Sequence, residues 1–76
     1  MMGHLPVCSG QEAVRVFETL GWKRVRQSGS HIVLVRPPHR ATLSVPDHRE
    51  LDRGTLRALI RMAGIDVATF VAALRA

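Results

Sequence analysis

Cysteine is almost missing from this chain. Cys8 stands alone, so no internal disulfide framework can form and the fold has to hold by packing. No apolar run approaches the ~20 residues that span a bilayer. The opening residues, Met1-Met2-Gly3-His4-Leu5-Pro6-Val7, lack both the basic start and the extended apolar stretch of a secretory signal. These absences predict a soluble, cytoplasmic protein with no membrane partner. The glycines are scattered singly, which excludes a P-loop or a dinucleotide-binding fingerprint. The histidines, His4, His31, His39 and His48, do not stand at zinc-ligand spacings, and Cys8 adds nothing to them, so neither a metal nor a cofactor is expected. Paired catalytic carboxylates are missing too, since Asp47, Glu50 and Asp52 share one loop in which capping accounts for them.

Lysine is as scarce as cysteine. Lys23 is the only one, so ten of the 11 basic residues are arginines, and against 6 acidic residues they leave a net charge of +5. Arginine's planar fork suits phosphate and carboxylate. The charge is unevenly spread. Residues 23–40 carry Lys23, Arg24, Arg26, Arg36 and Arg40 with no acid among them, while residues 1–22 are slightly acidic and 41–76 nearly balanced. A basic middle points to an anionic partner, nucleic acid first and an acidic protein second. At 76 residues the chain is read as one domain, 1–76, with residues 1–8 as a short leader. It can bury a small core, but not a deep enclosed cavity.

The local signals are clear. Ser9-Gly10-Gln11-Glu12 fits a capping box, and Ala13, Phe17 and Leu20 recur on one face of a helix that Gly21 stops. Trp22 to Gln27 reads as a strand and Ser28-Gly29 as a turn. His31 to Arg36, apolar on both parities, reads as the central strand, ended by Pro37-Pro38. Ala41 to Val45 alternates as a half-buried third strand closed by Pro46. A second helix runs from about Arg53 to Ala63 with Leu56, Leu59 and Ile60 on one face, and Gly64 stops it. A third, capped by Asp66, carries Val67, Phe70, Val71 and Leu74. No repeat or linker interrupts this order. An antiparallel meander with the helices on one face is the expected α+β layout, with Leu56, Leu59, Ile60, Phe70 and Val71 packed against Leu43 and Val45.

One histidine stands out. His31 follows Ser28-Gly29-Ser30 at the start of the central strand and shares strand parity with Val33 and Val35. Lys23, Arg24 and Arg26 lie just before the turn, on the neighbouring strand. An imidazole among cations has what metal-free RNA cleavage needs: one group to take the 2′-OH proton and others to hold the phosphate as charge builds. The structural alternative is a strand-end histidine bonded into its turn, beside arginines that form a solvated face. His48, in Pro46-Asp47-His48, reads as a loop residue or as a second proton-transfer or phosphate-contacting group. His39, in Pro37-Pro38-His39-Arg40, reads as an exposed turn tip without a role.

The segments Gln27-Ser28-Gly29-Ser30-His31, Val45-Pro46-Asp47-His48, Leu51-Asp52-Arg53-Gly54-Thr55-Leu56-Arg57 and Ala63-Gly64-Ile65 follow in the order and at the spacing of the HicA family. HicA proteins are small toxins of type II toxin–antitoxin systems, and the resemblance covers residues 9–75. It implies a double-stranded-RNA-binding-like fold, a three-stranded antiparallel sheet with helices on one face. It also implies a metal-independent endoribonuclease (mRNA interferase) with a HicB-type antitoxin as partner. The family's catalytic histidine falls on His31, with Gly29 and Ser30 matching its neighbours as RNA-contacting positions, and its loop histidine falls on His48. Family members are often lysine-rich where this chain has arginine, which changes phosphate geometry more than function. Charge and proximity, not the family, name Lys23, Arg24 and Arg26 as phosphate contacts. A non-catalytic RNA-binding module on the same fold is the alternative, and a basic face that only docks an acidic protein is a further one.

Overall fold

The computed structural model describes residues 5–76. His4 and the start of the expected leader lie outside the described residues. Six elements follow one another: α1 (Gly10–Thr19), β1 (Lys23–Ser28), β2 (His31–Arg36), β3 (His39–Pro46), α2 (Arg53–Met62) and α3 (Val67–Arg75). The strands form one antiparallel sheet in the order β1-β2-β3. This is the expected α+β arrangement, α-β-β-β-α-α.

The helix ends form where their capping residues stand. Both halves of the first capping box are made: the Glu12 N–H donates to Ser9 Oγ at 3.0 Å, and the Ser9 N–H donates to Glu12 Oε1 at 2.8 Å. Gly21, at φ 102°, takes the chain out of α1 into β1. Asp52 accepts from the Gly54 and Thr55 N–H groups at the start of α2, and Asp66 accepts from the Thr69 N–H at 2.8 Å to open α3.

Directly paired residues of antiparallel strands point to the same face. Ile32 pairs with Val45 and Leu34 with Leu43, and all four are fully buried beneath the helices. Val14, Val16 and Phe17 of α1 and Leu56, Leu59 and Ile60 of α2 complete this core. Val33 pairs with Ser44 and Val35 with Thr42, on the other face, where Ser44 and Thr42 are exposed. Among the described residues no helix covers that face. β1 is exposed along its whole length, and its register shifts between Arg24 and Arg26, leaving Val25 as an extra residue. A bulge and a row of charges are a common protection for an unpaired sheet edge.

Packing departs from the sequence reading at four places. Leu5 and Cys8 are buried in the core, and the Cys8 carbonyl accepts from the Leu51 N–H at 2.8 Å. The segment before α1 is thus anchored from Leu5 onward and is not a free leader. Trp22, expected on a charged strand, is buried just ahead of β1. Phe70 is buried as expected, but α3 packs chiefly on α1, so its ring meets Phe17, centroids 5.5 Å apart and tilted by 52°, and not β3. Val71, one residue on, turns partly to solvent and is not a core residue. A helix that lies across another helix, not along the sheet, buries a narrower stripe than the apolar pattern of α3 offers.

Candidate active site

Two residues, Gly29 and Ser30, join β1 to β2, with Ser28 paired to His31. A two-residue hairpin loop with glycine first is the pattern of a II′ turn, and Gly29 adopts φ 60°. The space around a Cβ at Gly29 is empty, so its backbone angle, not crowding, calls for glycine there. The turn is tied at its back: the Ser30 carbonyl accepts from the Asp47 N–H at 2.6 Å. Asp47 Oδ1 in turn accepts from Gln11 Nε2 at 3.0 Å, and the His48 carbonyl accepts from the Gly10 N–H at 2.9 Å. Gly10 lets α1 approach this loop so closely that a Cβ would overlap the Pro46 carbonyl.

His31 therefore starts its strand from a braced turn. Its side chain is exposed and, among the described residues, makes no hydrogen bond. The turn-bonded alternative for His31 is not what the structure contains. The imidazole stands in a shallow basin of about 370 Å³ on the open sheet face, lined by Arg26, Ser28, His31, Val33, Thr42 and Ser44. One cation, one imidazole and three hydroxyls surround an apolar floor at Val33. No acidic side chain lines it.

The register sorts the other sequence candidates. Arg26 pairs with Val33 and joins His31 in the basin. Lys23 pairs with Val35, on the same face further along the sheet. Arg24 pairs with Leu34, whose side chain faces the helices, so Arg24 sits on the opposite side of the β1 edge. Without the extra residue at Val25, strand alternation would have put Arg24 and Arg26 together. His48 is exposed two residues beyond Pro46, the strand partner of His31, and does not line the basin.

The sequence alone does not mark Ser28, Thr42 and Ser44 as site residues. The alternation Ala41-Thr42-Leu43-Ser44-Val45 puts Thr42 and Ser44 opposite the core face, but only the pairing with β2 brings them beside His31. His39 also differs from its reading as an exposed turn tip. It begins β3 half-buried, with its ring 5.1 Å from that of Trp22 and its Nδ1 accepting from the Ala41 N–H at 3.2 Å. Among the described residues no three His, Cys, Asp or Glu side chains cluster to hold a metal, and no helix is long and apolar enough to cross a membrane.

A search of curated proteins finds no match. The family described as the HicA toxin of bacterial toxin–antitoxin systems matches residues 10–65, from the start of α1 to the turn after α2. That span holds the whole sheet and the braced turn at His31, and it covers most of the chain. The chain belongs to the HicA toxins of bacterial toxin–antitoxin systems, proteins whose partner is an antitoxin.

Proposed function

We propose that this toxin is a single-domain, metal-independent endoribonuclease that cuts mRNA in the cytoplasm and is silenced by a HicB-type antitoxin. The observation that carries the reading is the exposed, unbonded imidazole of His31 held beside Arg26 on an open basic face. An imidazole nitrogen can accept a proton and give it back. In the proposed step His31 takes the proton of a ribose 2′-OH. The 2′-oxygen bonds to the adjacent phosphorus, the bond from phosphorus to the 5′-oxygen breaks, and the leaving oxygen takes a proton from the imidazolium or from water. Arg26 offers its fork to the non-bridging oxygens as charge grows on them.

The other residues have supporting parts. Gly29 and Ser30 bring backbone close to the strand being cut, and Lys23 meets a phosphate further along the same face. Arg24, across the β1 edge, would meet only a strand that wraps that edge. His48 is the proposed second group, reached from the loop beyond Pro46. A non-catalytic RNA-binding module is the second reading. It is favoured by one observation, that among the described residues His31 is the lone acid–base side chain lining the basin.

The experiment is incubation of the purified, antitoxin-free chain with RNA. The proposal expects products ending in 2′,3′-cyclic phosphate and 5′-hydroxyl, formed equally well in EDTA. RNA that is bound but stays intact would move the reading to the binding module.

A further inference from the structure

A second concave site lies at the other end of the sheet. His31 and Arg36 are the two ends of β2, about 17 Å apart at the usual rise of a strand. Around Arg36 a cleft of about 410 Å³ opens between Trp22, Arg36 and His39 on one side and the Ala63–Ile65 turn on the other, with Leu20 at its floor. The Ala63-Gly64-Ile65 motif is left without a part in the chemistry at His31, and this cleft is where it stands.

The polar groups here are set as donors. Nδ1 of His39 accepts from the Ala41 N–H, so the proton of the neutral ring sits on Nε2. Nε2 faces Gly64, 3.7 Å from where a Cβ on that residue would stand. The tilted contact with Trp22 holds the ring in this orientation. Arg36 Nε donates to the Leu20 carbonyl at 3.1 Å, which fixes the guanidinium and leaves its two terminal nitrogens for another acceptor. No acidic side chain lines the cleft. Leu20, Ala63 and Ile65 supply an apolar surface beside these donors.

A fixed arginine and an imidazole N–H, with no acid opposing them, select an anion. The apolar surface of Leu20 and Ile65 suits a flat ring, and the volume falls in the usual range of small-ligand sites. We infer that this cleft binds a nucleoside monophosphate, free or as one unit of an RNA strand. Arg36 and His39 Nε2 take the phosphate, and the base lies over Leu20 and Ile65. The site uses no residue of the His31 basin and does not depend on the ribonuclease reading.

Trp22 is the only tryptophan and a wall of the cleft, so its fluorescence reports occupancy directly. The full chain is titrated with AMP, GMP, CMP and UMP, with inorganic phosphate, with adenosine, and with a short single-stranded RNA. A saturable change with at least one nucleotide or with the RNA is expected, and phosphate or adenosine alone should bind much more weakly. A response to both classes assigns the site to nucleotides generally, and a response to RNA alone assigns it to a strand. Arg36→Gln should weaken binding about ten-fold or more. Arg36→Lys, which keeps the charge but not the fork, should fall between, and melting curves check that both variants fold. His31→Ala should titrate with the mononucleotides like the wild type, which separates this site from the catalytic proposal. No saturable response of the wild-type chain would overturn the inference. So would a response to phosphate equal to that for nucleotides, an affinity unchanged in a folded Arg36→Gln, or a signal lost in His31→Ala and kept in Arg36→Gln.

Discussion

Gly10 carries a constraint that reaches the proposed active site. It is the first residue of α1 and is buried, and its N–H donates to the His48 carbonyl at 2.9 Å. A methyl group there would overlap the Pro46 carbonyl and press on its carbon at 3.0 Å and on Asp47 Cα at 3.1 Å. All of these are backbone atoms, so no side chain can swing away to make room. Gly10→Ala must push α1 off the loop or move the loop itself, and forced overpacking of this kind costs about 1–3 kcal/mol. The intrinsic helix preference of alanine returns at most about 1 kcal/mol. Because the overlap falls on a backbone carbonyl oxygen, the cost lies in the upper half of that range, and the resulting net loss of about 1–2 kcal/mol lowers Tm by roughly 4–16 °C in a domain of this size. Gly54→Ala is the control: it sits in the first turn of α2, exposed, and a Cβ there meets only the Asp52 cap carboxylate at 3.1 Å. Thermal melts by circular dichroism of both variants decide the matter. A Tm for Gly10→Ala equal to or above the wild type would refute the close approach of α1 to the Pro46–His48 loop.

Phe70→Ala should cost about 3–5 kcal/mol, since the ring is fully buried against Phe17, while Val71→Ala should cost far less; equal losses in denaturant unfolding would contradict the packing of α3 on α1. The hydrogen bonds from Thr69 hold the Asp66 carboxyl below its ordinary value, so its cap stabilises above the usual carboxylate range and that gain is lost as pH falls through the lowered value. Asp66→Ala should therefore melt below the wild type at neutral pH and close the gap in acid, and a gap that widens in acid would be the wrong sign. Arg26→Gln should make the slope of log RNA affinity against log salt shallower by up to ~0.7, with a smaller change for Arg24→Gln; equal changes would mean that RNA does not choose between the two sides of β1.

The features legible in the sequence are those that local chemistry decides. The Ser9 and Glu12 box, the Asp66 cap, the stops at Gly21 and Gly64 and the branched run of β2 act through residues within a few positions of themselves. The placement of His31 at the start of β2 was legible for the same reason, because the turn that presents it is its immediate neighbour. What stayed hidden depends on distant pairing. The shift at Val25, which parts Arg24 from Arg26, exists only against β2. Thr42 and Ser44 become part of the basin only through their register with that strand. Trp22 and His39 look exposed among charges and prolines, but they find each other across the end of the sheet. Leu5 and Cys8 join the core because the loop before α2 folds back to the Cys8 carbonyl.

Everything proposed for this toxin turns on whether His31 performs chemistry. The most direct measurement compares single-turnover RNA cleavage by the wild-type chain and by His31→Ala, with RNA affinity and Tm taken on the same preparations. Loss of a general base is typically worth 10²–10⁴-fold in rate. A loss of that size is expected with affinity and Tm close to wild type, since the exposed imidazole makes no bond within the described chain that folding needs. A folded His31→Ala that cleaves at the wild-type rate would contradict it, as would a variant that loses activity only because it no longer folds.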